Sequence, residues 1–264
     1  MIPDIWGWNS GRTRVIADYF SDNGYYVIVP KLLVPALEGG TDGDGFPPNF
    51  DMSTRGGEFG PYMQTVPWDS HMKPRISAIL DHLASNGINK VAMSGYCFGG
   101  YVCAKANVDF PDKVAIITIP HPSITLEDRV YGGSSLELCK KVTCPVLLLP
   151  AGNDPDVYRP QGEIYETLKS NNAATETIDF PNMTHGWVPR GDLSQDGVSD
   201  DVQKAIDAML AYYALMAEEG KIITHFVFYT RNNNIICFYL IKSSYSHHHQ
   251  LFQQVEELNR IFAS

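Results

Sequence analysis

Long apolar runs are missing from this chain. Nowhere do the roughly 18 consecutive apolar residues of a membrane span follow one another, and the first residues lack the basic-then-apolar order of a secretory leader. Cysteine is sparse and odd in number, five in 264 residues, which does not describe a disulfide framework. Cys139 and Cys144 lie close in sequence, but Pro145 and the apolar residues after it read as a loop feeding a strand. Free thiols in a reducing, cytoplasmic setting are therefore expected. Basic residues are outnumbered, 20 Lys and Arg against 30 Asp and Glu, so a broad nucleic-acid-binding surface is not expected. A metal site is not expected either: His247-His248-His249 has no carboxylate or thiol partner at ligand spacing and reads as a solvated polar stretch.

What is present is the composition of a soluble globule, 44% hydrophobic and 19% charged, in a length that suits one large domain. Short Val- and Ile-rich runs at Tyr25–Pro30, Val91–Ser94, Val114–Ile119, Val146–Pro150 and Thr175–Phe180 read as strands, most of them apolar on both faces as covered strands are. Helix-period segments alternate with them at Gly11–Asp22, Pro74–Ser85, Gly162–Ser170 and Asp200–Met216. Such alternation predicts an α/β fold, a mainly parallel sheet with helices on both faces. Pro35–Trp68, rich in Gly, Pro and Asp, has no strong period and reads as a lid, a binding loop or a plain surface excursion. After Glu218-Glu219-Gly220 the composition changes, and two apolar runs flanking Asn232–Asn234 read as a β-hairpin. The expected division is one domain over residues 1–217 and an atypical tail over 218–264.

The chemistry gathers at three places. Gly95-Tyr96-Cys97-Phe98-Gly99 follows a strand and opens a helix, the frame of the G-x-S-x-G nucleophile elbow with sulfur in place of the hydroxyl. A thiol nucleophile needs a base and a group that orients the base. Asp154 comes just after the strand Val146–Pro150, and His185 just after Thr175–Phe180. Ligands of open α/β sheets bind at the carboxyl ends of the strands, so Cys97, Asp154 and His185 are expected to converge there. Singly, each has an ordinary explanation: a buried thiol, a turn aspartate before proline, a loop histidine before glycine. Their order and their shared placement carry the signal.

The residues GYCFGG, the aspartate after PVLLLPAGN, and THGW resemble the dienelactone hydrolase family, carboxymethylenebutenolidase and its eukaryotic relatives, members of the α/β-hydrolase superfamily. Pro3-Asp4-Ile5-Trp6-Gly7, GYYVIVPKLL and Ile119-Pro120-His121-Pro122-Ser123 extend the likeness, which runs from about Met1 to Met216. The resemblance implies Cys97 as nucleophile, His185 as its base and Asp154 as the orienter. It implies an oxyanion hole from the backbone N–H groups of Ile5 and Phe98. Asp4 stands where the family usually has a glutamate that controls the thiol. Arg190 resembles a contact for a substrate carboxylate, and Tyr96, His121 and Trp187, set in the same motifs, are candidate substrate-binding residues. No metal or organic cofactor is implied, and the expected partner is a small ester or lactone met by a monomer.

In the resembled fold a central strand precedes Pro3–Gly7, of which only Met1 and Ile2 stand here, so the sheet is expected to lack N-terminal strands. Two readings of the ends follow. Either upstream residues are missing and the tail is foreign to the domain, or the hairpin-like tail supplies strands to the sheet. Two readings of function follow as well. The first is a cysteine-dependent hydrolase cleaving an ester or enol-lactone through an acyl-thioester, which sequence does not separate from a general carboxylesterase or thioesterase. The second is a catalytically silent scaffold that binds a ligand or partner.

Overall fold

The computed structural model describes residues 1–218 and the short segments 227–229 and 237–239. In chain order the helices are α1 (Thr13–Asp22), α2 (Met52–Arg55), α3 (Phe59–Gln64), α4 (Lys73–Ser85), α5 (Phe98–Asp109), α6 (Leu126–Arg129), α7 (Ser135–Cys139), α8 (Glu163–Asn171), α9 (Trp187–Arg190) and α10 (Val198–Glu218). The strands are β1 (Val91–Ser94), β2 (Val114–Pro120), β3 (Val146–Leu149) and β4 (Glu176–Thr177), with β5 (Val227–Tyr229) and β6 (Cys237–Tyr239) forming a separate antiparallel pair. That pair falls where the tail was expected to form a hairpin; what lies around it is outside the described residues.

The order β1-β2-β3-β4 is parallel throughout, with Met93 opposite Ile117, Ile119 opposite Leu148 and Leu147 opposite Glu176. Side chains alternate across a strand, so each buried run feeds two cores. Ile117, Ile119 and Leu148 point into one, with Leu80 of α4, Val102 and Ala106 of α5, and Ile164 and Leu168 of α8. Ile116, Leu147 and Leu149 point into the other, with Ile16 and Phe20 of α1 and Val202, Met209 and Tyr213 of α10. This explains why the strands are apolar on both faces.

Two expected strands come out differently. Tyr25–Pro30 forms no regular strand. Between it and β1 stand only Met1 and Ile2: the Met1 amine donates to Ile28 O (2.6 Å), Ile2 N–H to Ser94 O (2.6 Å), and Tyr96 N–H to Ile2 O (3.0 Å). A groove opens beside this contact, lined by Tyr26, Ile28, Ile76, Leu80, Ala92 and Ser94. Burial pushes the Met1 amine down to about 6. Thr175–Phe180 is regular only at Glu176–Thr177, continuing as separate bonds from Ile178 N–H to Leu148 O and Phe180 N–H to Pro150 O, both 2.9 Å. Pro150 has no N–H to return to the ladder, which breaks the pairing there.

Pro35–Trp68 is not structureless. It holds α2, α3 and short 3₁₀ turns at Thr41–Gly43 and Gly56–Glu58, anchored by buried Phe46, Phe50, Tyr62 and Met63. Fully buried Asp44 ties it to the rest, accepting from Trp8 N–H and Leu33 N–H, each at 2.8 Å.

Candidate active site

The elbow is dictated by close backbone approach. Cys97 sits at φ 53°, ψ −115°, a conformation a side chain adopts only under constraint. Gly95 N–H bonds Thr118 O (2.9 Å) and Gly100 N–H bonds Cys97 O (3.0 Å), closing the turn. A Cβ on Gly95 would lie 2.3 Å from Gly99 O, and one on Gly99 would lie 2.5 Å from Ile2 O. Both glycines are therefore geometric requirements, and Cys97 is lifted to the carboxyl edge of the sheet. Phe98 is the first residue of α5, so its N–H has no carbonyl within the helix to bond.

His185 arrives on the loop after β4. Its Nδ1 is 2.5 Å from Asp154 Oδ1, and its N–H donates to Asn153 Oδ1 at 2.6 Å. Asp154 is buried and fixed in turn: its Oδ2 accepts from Ala151 N–H (2.7 Å), and the Arg159 guanidinium donates to its carbonyl (2.7 Å). With Nδ1 on the carboxylate, the other ring nitrogen is left for Cys97, to which His185 also hydrogen-bonds. Burial opposes charge on both groups, but each favours the other's. The thiol of Cys97 is brought below its ordinary value by the His185 charge and hydrogen bond and by Ser123, whose Oγ is 3.5 Å from Sγ. Against the desolvation of its ring, His185 is raised to about 10 by the sulfur charge and by its bonds to Asp154 and Cys97. Each group thus favours the charged form of the other. Cys103 and Cys139, buried without such a partner, are pushed up to about 12.

The opening loop flanks the elbow, because Ile2 is bonded to both sides of it. Ile5 O accepts from Phe46 N–H at 2.9 Å, which pins that loop to the Pro35–Trp68 segment. Asp4 is buried, and its carboxyl is raised by desolvation against the pull of Arg190, the Trp6 N–H and His185. Its Oδ1 accepts from Trp6 N–H (2.9 Å) and its Oδ2 from the Arg190 guanidinium. Arg190 also covers the Trp6 ring at 4.7 Å. The cation assigned by resemblance to a substrate carboxylate is thus engaged by Asp4. Arg12 holds the same region from the other side, donating to the carbonyls of Gly191, Trp187 and Val188 at 2.6, 2.8 and 3.0 Å.

Tyr96, His121 and Trp187 lie behind the histidine. All three are buried, and the His121 ring stands edge-on to His185 (4.9 Å) and Trp187 (5.5 Å) and 6.0 Å from Tyr96. Among the described residues neither His121 ring nitrogen has a hydrogen-bond partner, and burial drives that imidazole to its neutral form, helped by the charges of His185 and Arg190. No group of three or more His, Cys, Asp or Glu among the described residues could hold a metal ion. Nor is any described helix long and apolar enough to cross a membrane.

Sequence reasoning brought Cys97, Asp154 and His185 together. It passed over Ser123, Arg12 and Asp44. For Ser123 the available signal was its place at the carboxyl end of β2, on the same sheet edge as the other three.

Known proteins bear on the family and the fold. The model of the dienelactone hydrolase family matches residues 1–219. The carboxymethylenebutenolidase homolog of Homo sapiens is 33% identical over 193 residues, 72% of this chain and 70% of that one. Hydrolase tropI of Talaromyces stipitatus is 25% identical over 201 residues, 74% of this chain and 71% of its own. A crystal structure from Klebsiella pneumoniae, provisionally assigned as a dienelactone hydrolase, shares the fold with a TM-score of 0.61 at 18% identity, over 81% of this chain and 84% of that one.

Proposed function

The chain belongs to the dienelactone hydrolase family and is an ester-bond hydrolase, and we propose that it cleaves an ester or enol-lactone through an acyl-thioester on Cys97. The Cys97 thiolate attacks the acyl carbon and forms the C–S bond. The carbonyl electron pair moves to oxygen, which the N–H groups of Phe98 and Ile5 stabilise. Collapse of this intermediate breaks the C–O bond, and protonated His185 gives its proton to the departing oxygen. Neutral His185 then takes a proton from water, whose oxygen attacks the thioester. The C–S bond breaks with its electron pair to sulfur, restoring the ion pair and releasing the acid. Asp154 keeps the imidazole in its tautomer and orientation throughout.

Around this core, Asp4 tunes the sulfur, since its negative charge opposes that of the thiolate. Arg190 meets a substrate carboxylate by exchanging it for Asp4. Tyr96, His121 and Trp187 bound the site from behind His185. The enzyme acts as a monomer in the cytoplasm.

One observation carries the reading: the 2.5 Å link from Asp154 to His185, beside a thiol that ionises more easily than its ordinary value while Cys103 and Cys139 resist ionisation. The test is incubation with p-nitrophenyl acetate and with an enol-lactone, quenching in acid and mapping the acyl adduct by mass. An adduct on the Cys97 peptide, with hydrolysis lost in Cys97→Ala, is expected. Full turnover by Cys97→Ala would overturn the mechanism, and binding without turnover in the wild type would favour a silent scaffold.

A further inference from the structure

The end of β2 bears a group that the mechanism above leaves unused. We propose that Ser123 is a further catalytic residue, whose hydroxyl binds the sulfur of Cys97 whenever that sulfur carries negative charge and so drives deacylation. The inference rests on the thioester mechanism.

The geometry makes Ser123 a built contact. Cys97 N–H bonds Pro120 O (3.3 Å), so the elbow is strapped to the end of β2. His121 follows at φ 40°, with its N–H on Leu149 O (2.9 Å), and Pro122 stiffens the next step. This left-handed turn sends Ser123 back over the elbow, where Oγ stands 3.5 Å from Sγ. Beyond it, Ser123 O accepts from Leu126 N–H (3.1 Å) and Thr125 N–H donates to the Tyr158 hydroxyl (3.1 Å). Backbone bonds on the chain around the serine fix the position from which its hydroxyl reaches the sulfur.

The consequence differs between the two half-reactions. In acylation the sulfur gives up its charge, so a donor on sulfur stabilises the resting thiolate more than the transition state. In deacylation water attacks, its proton passes to His185, and the C–S electron pair returns to sulfur. A donor on sulfur now stabilises the transition state more than the neutral thioester. Ser123 therefore lowers the barrier of the second step at some expense to the first. It also widens the pH range in which the thiolate exists, because burial works against that ion and the hydroxyl is among the groups that offset it.

The experiment uses the full chain with Ser123→Ala and Ser123→Thr. Iodoacetamide alkylation of Cys97 against pH, followed by peptide mass, reads the thiolate without any substrate. Pre-steady-state release of p-nitrophenol separates acylation from deacylation. Loss of one hydrogen bond to a charged group should move the acid limb of the alkylation profile up by about one pH unit and slow deacylation about tenfold, so that acyl-enzyme accumulates and the burst grows. Acylation above that limb should stay equal or quicken, and Ser123→Thr should recover most of the loss. If Ser123→Ala does not fold, Ser123→Gly removes the same hydroxyl and takes the same measurements. A limb and a deacylation rate equal to wild type in the hydroxyl-free variant would overturn the proposal. Wild-type enzyme that alkylates elsewhere than Cys97 would instead remove the thioester mechanism on which it stands.

Discussion

Exchange of His185 for alanine leaves the sulfur of Cys97 buried but removes its principal cation. The other described thiols show where burial alone leads, since Cys103 and Cys139 are pushed up to about 12. Cys97 should move in that direction but stop short, being less buried and still bonded to Ser123. A hydrogen bond to a charged group is worth about 1.5–3 kcal/mol, which is about 10- to 150-fold in thiolate population at a pH below both titrations. The rate of iodoacetamide alkylation at Cys97 should fall by up to that factor on the acid side of the wild-type titration and rise again in strong base. His185 is partly exposed, so stability should change little, and a Tm near that of wild type checks that the fold survives. An alkylation profile that overlays the wild type would refute the ion pair and the role of His185 with it.

Three further outcomes can be measured. Asp154→Asn and His185→Ala should each lower kcat/KM by about 10²–10⁴-fold, and the double variant should lose little more, because the two act as one unit; losses that multiply would separate them. Gly95→Ala should cost about 1–3 kcal/mol or more in urea unfolding, since its Cβ would meet backbone 2.3 Å away, whereas Gly56→Ala, with nothing within 4 Å, should be near neutral; equal effects would refute the close-packed elbow. Desolvation raises Asp44 from 3.8 to about 6, so it binds more protons folded than unfolded, and its contribution is fullest below pH 3.8 and lost as pH rises through 6. Relative to Asp44→Asn, the wild type should therefore gain about 2–3 kcal/mol between pH 7 and pH 4, and a flat difference would show the carboxyl to be ordinary.

How much of this was legible in sequence depended on the kind of signal. β2 and β3 declared themselves because both of their faces are covered, which leaves an unbroken apolar run. The elbow declared itself because only glycine fits 2.3 Å from a carbonyl, so steric demand writes the letter directly. Helices α2 and α3 escaped because they run only four and six residues, α2 burying none and α3 only the adjacent Tyr62 and Met63, so neither shows a helical period. Tyr25–Pro30 has the composition of a strand but not the neighbour, and a ladder needs two edges. Ser123 and Arg12 escaped for a different reason. A hydroxyl reaching a sulfur 26 residues back had only its place at the carboxyl end of β2 to mark it, and a guanidinium reaching carbonyls 175 to 179 residues ahead leaves no local pattern at all.

The reach of Arg12 has a consequence for the order in which the protein is made. Its guanidinium, with the carboxylate of Asp4, holds the stretch Trp187–Gly191 that follows the histidine. A ribosome delivers those two anchors first, the nucleophile next, and the base near the end of the domain. A chain that ends before His185 lacks the cation that favours ionisation of Cys97, so its sulfur should be less reactive until the loop carrying that histidine closes onto Arg12 and Asp4. Ribosome-stalled chains ending before His185 should resist alkylation at Cys97, while chains extended well past α10 should react; equal labelling of the two would show that the thiol is activated without its closing loop.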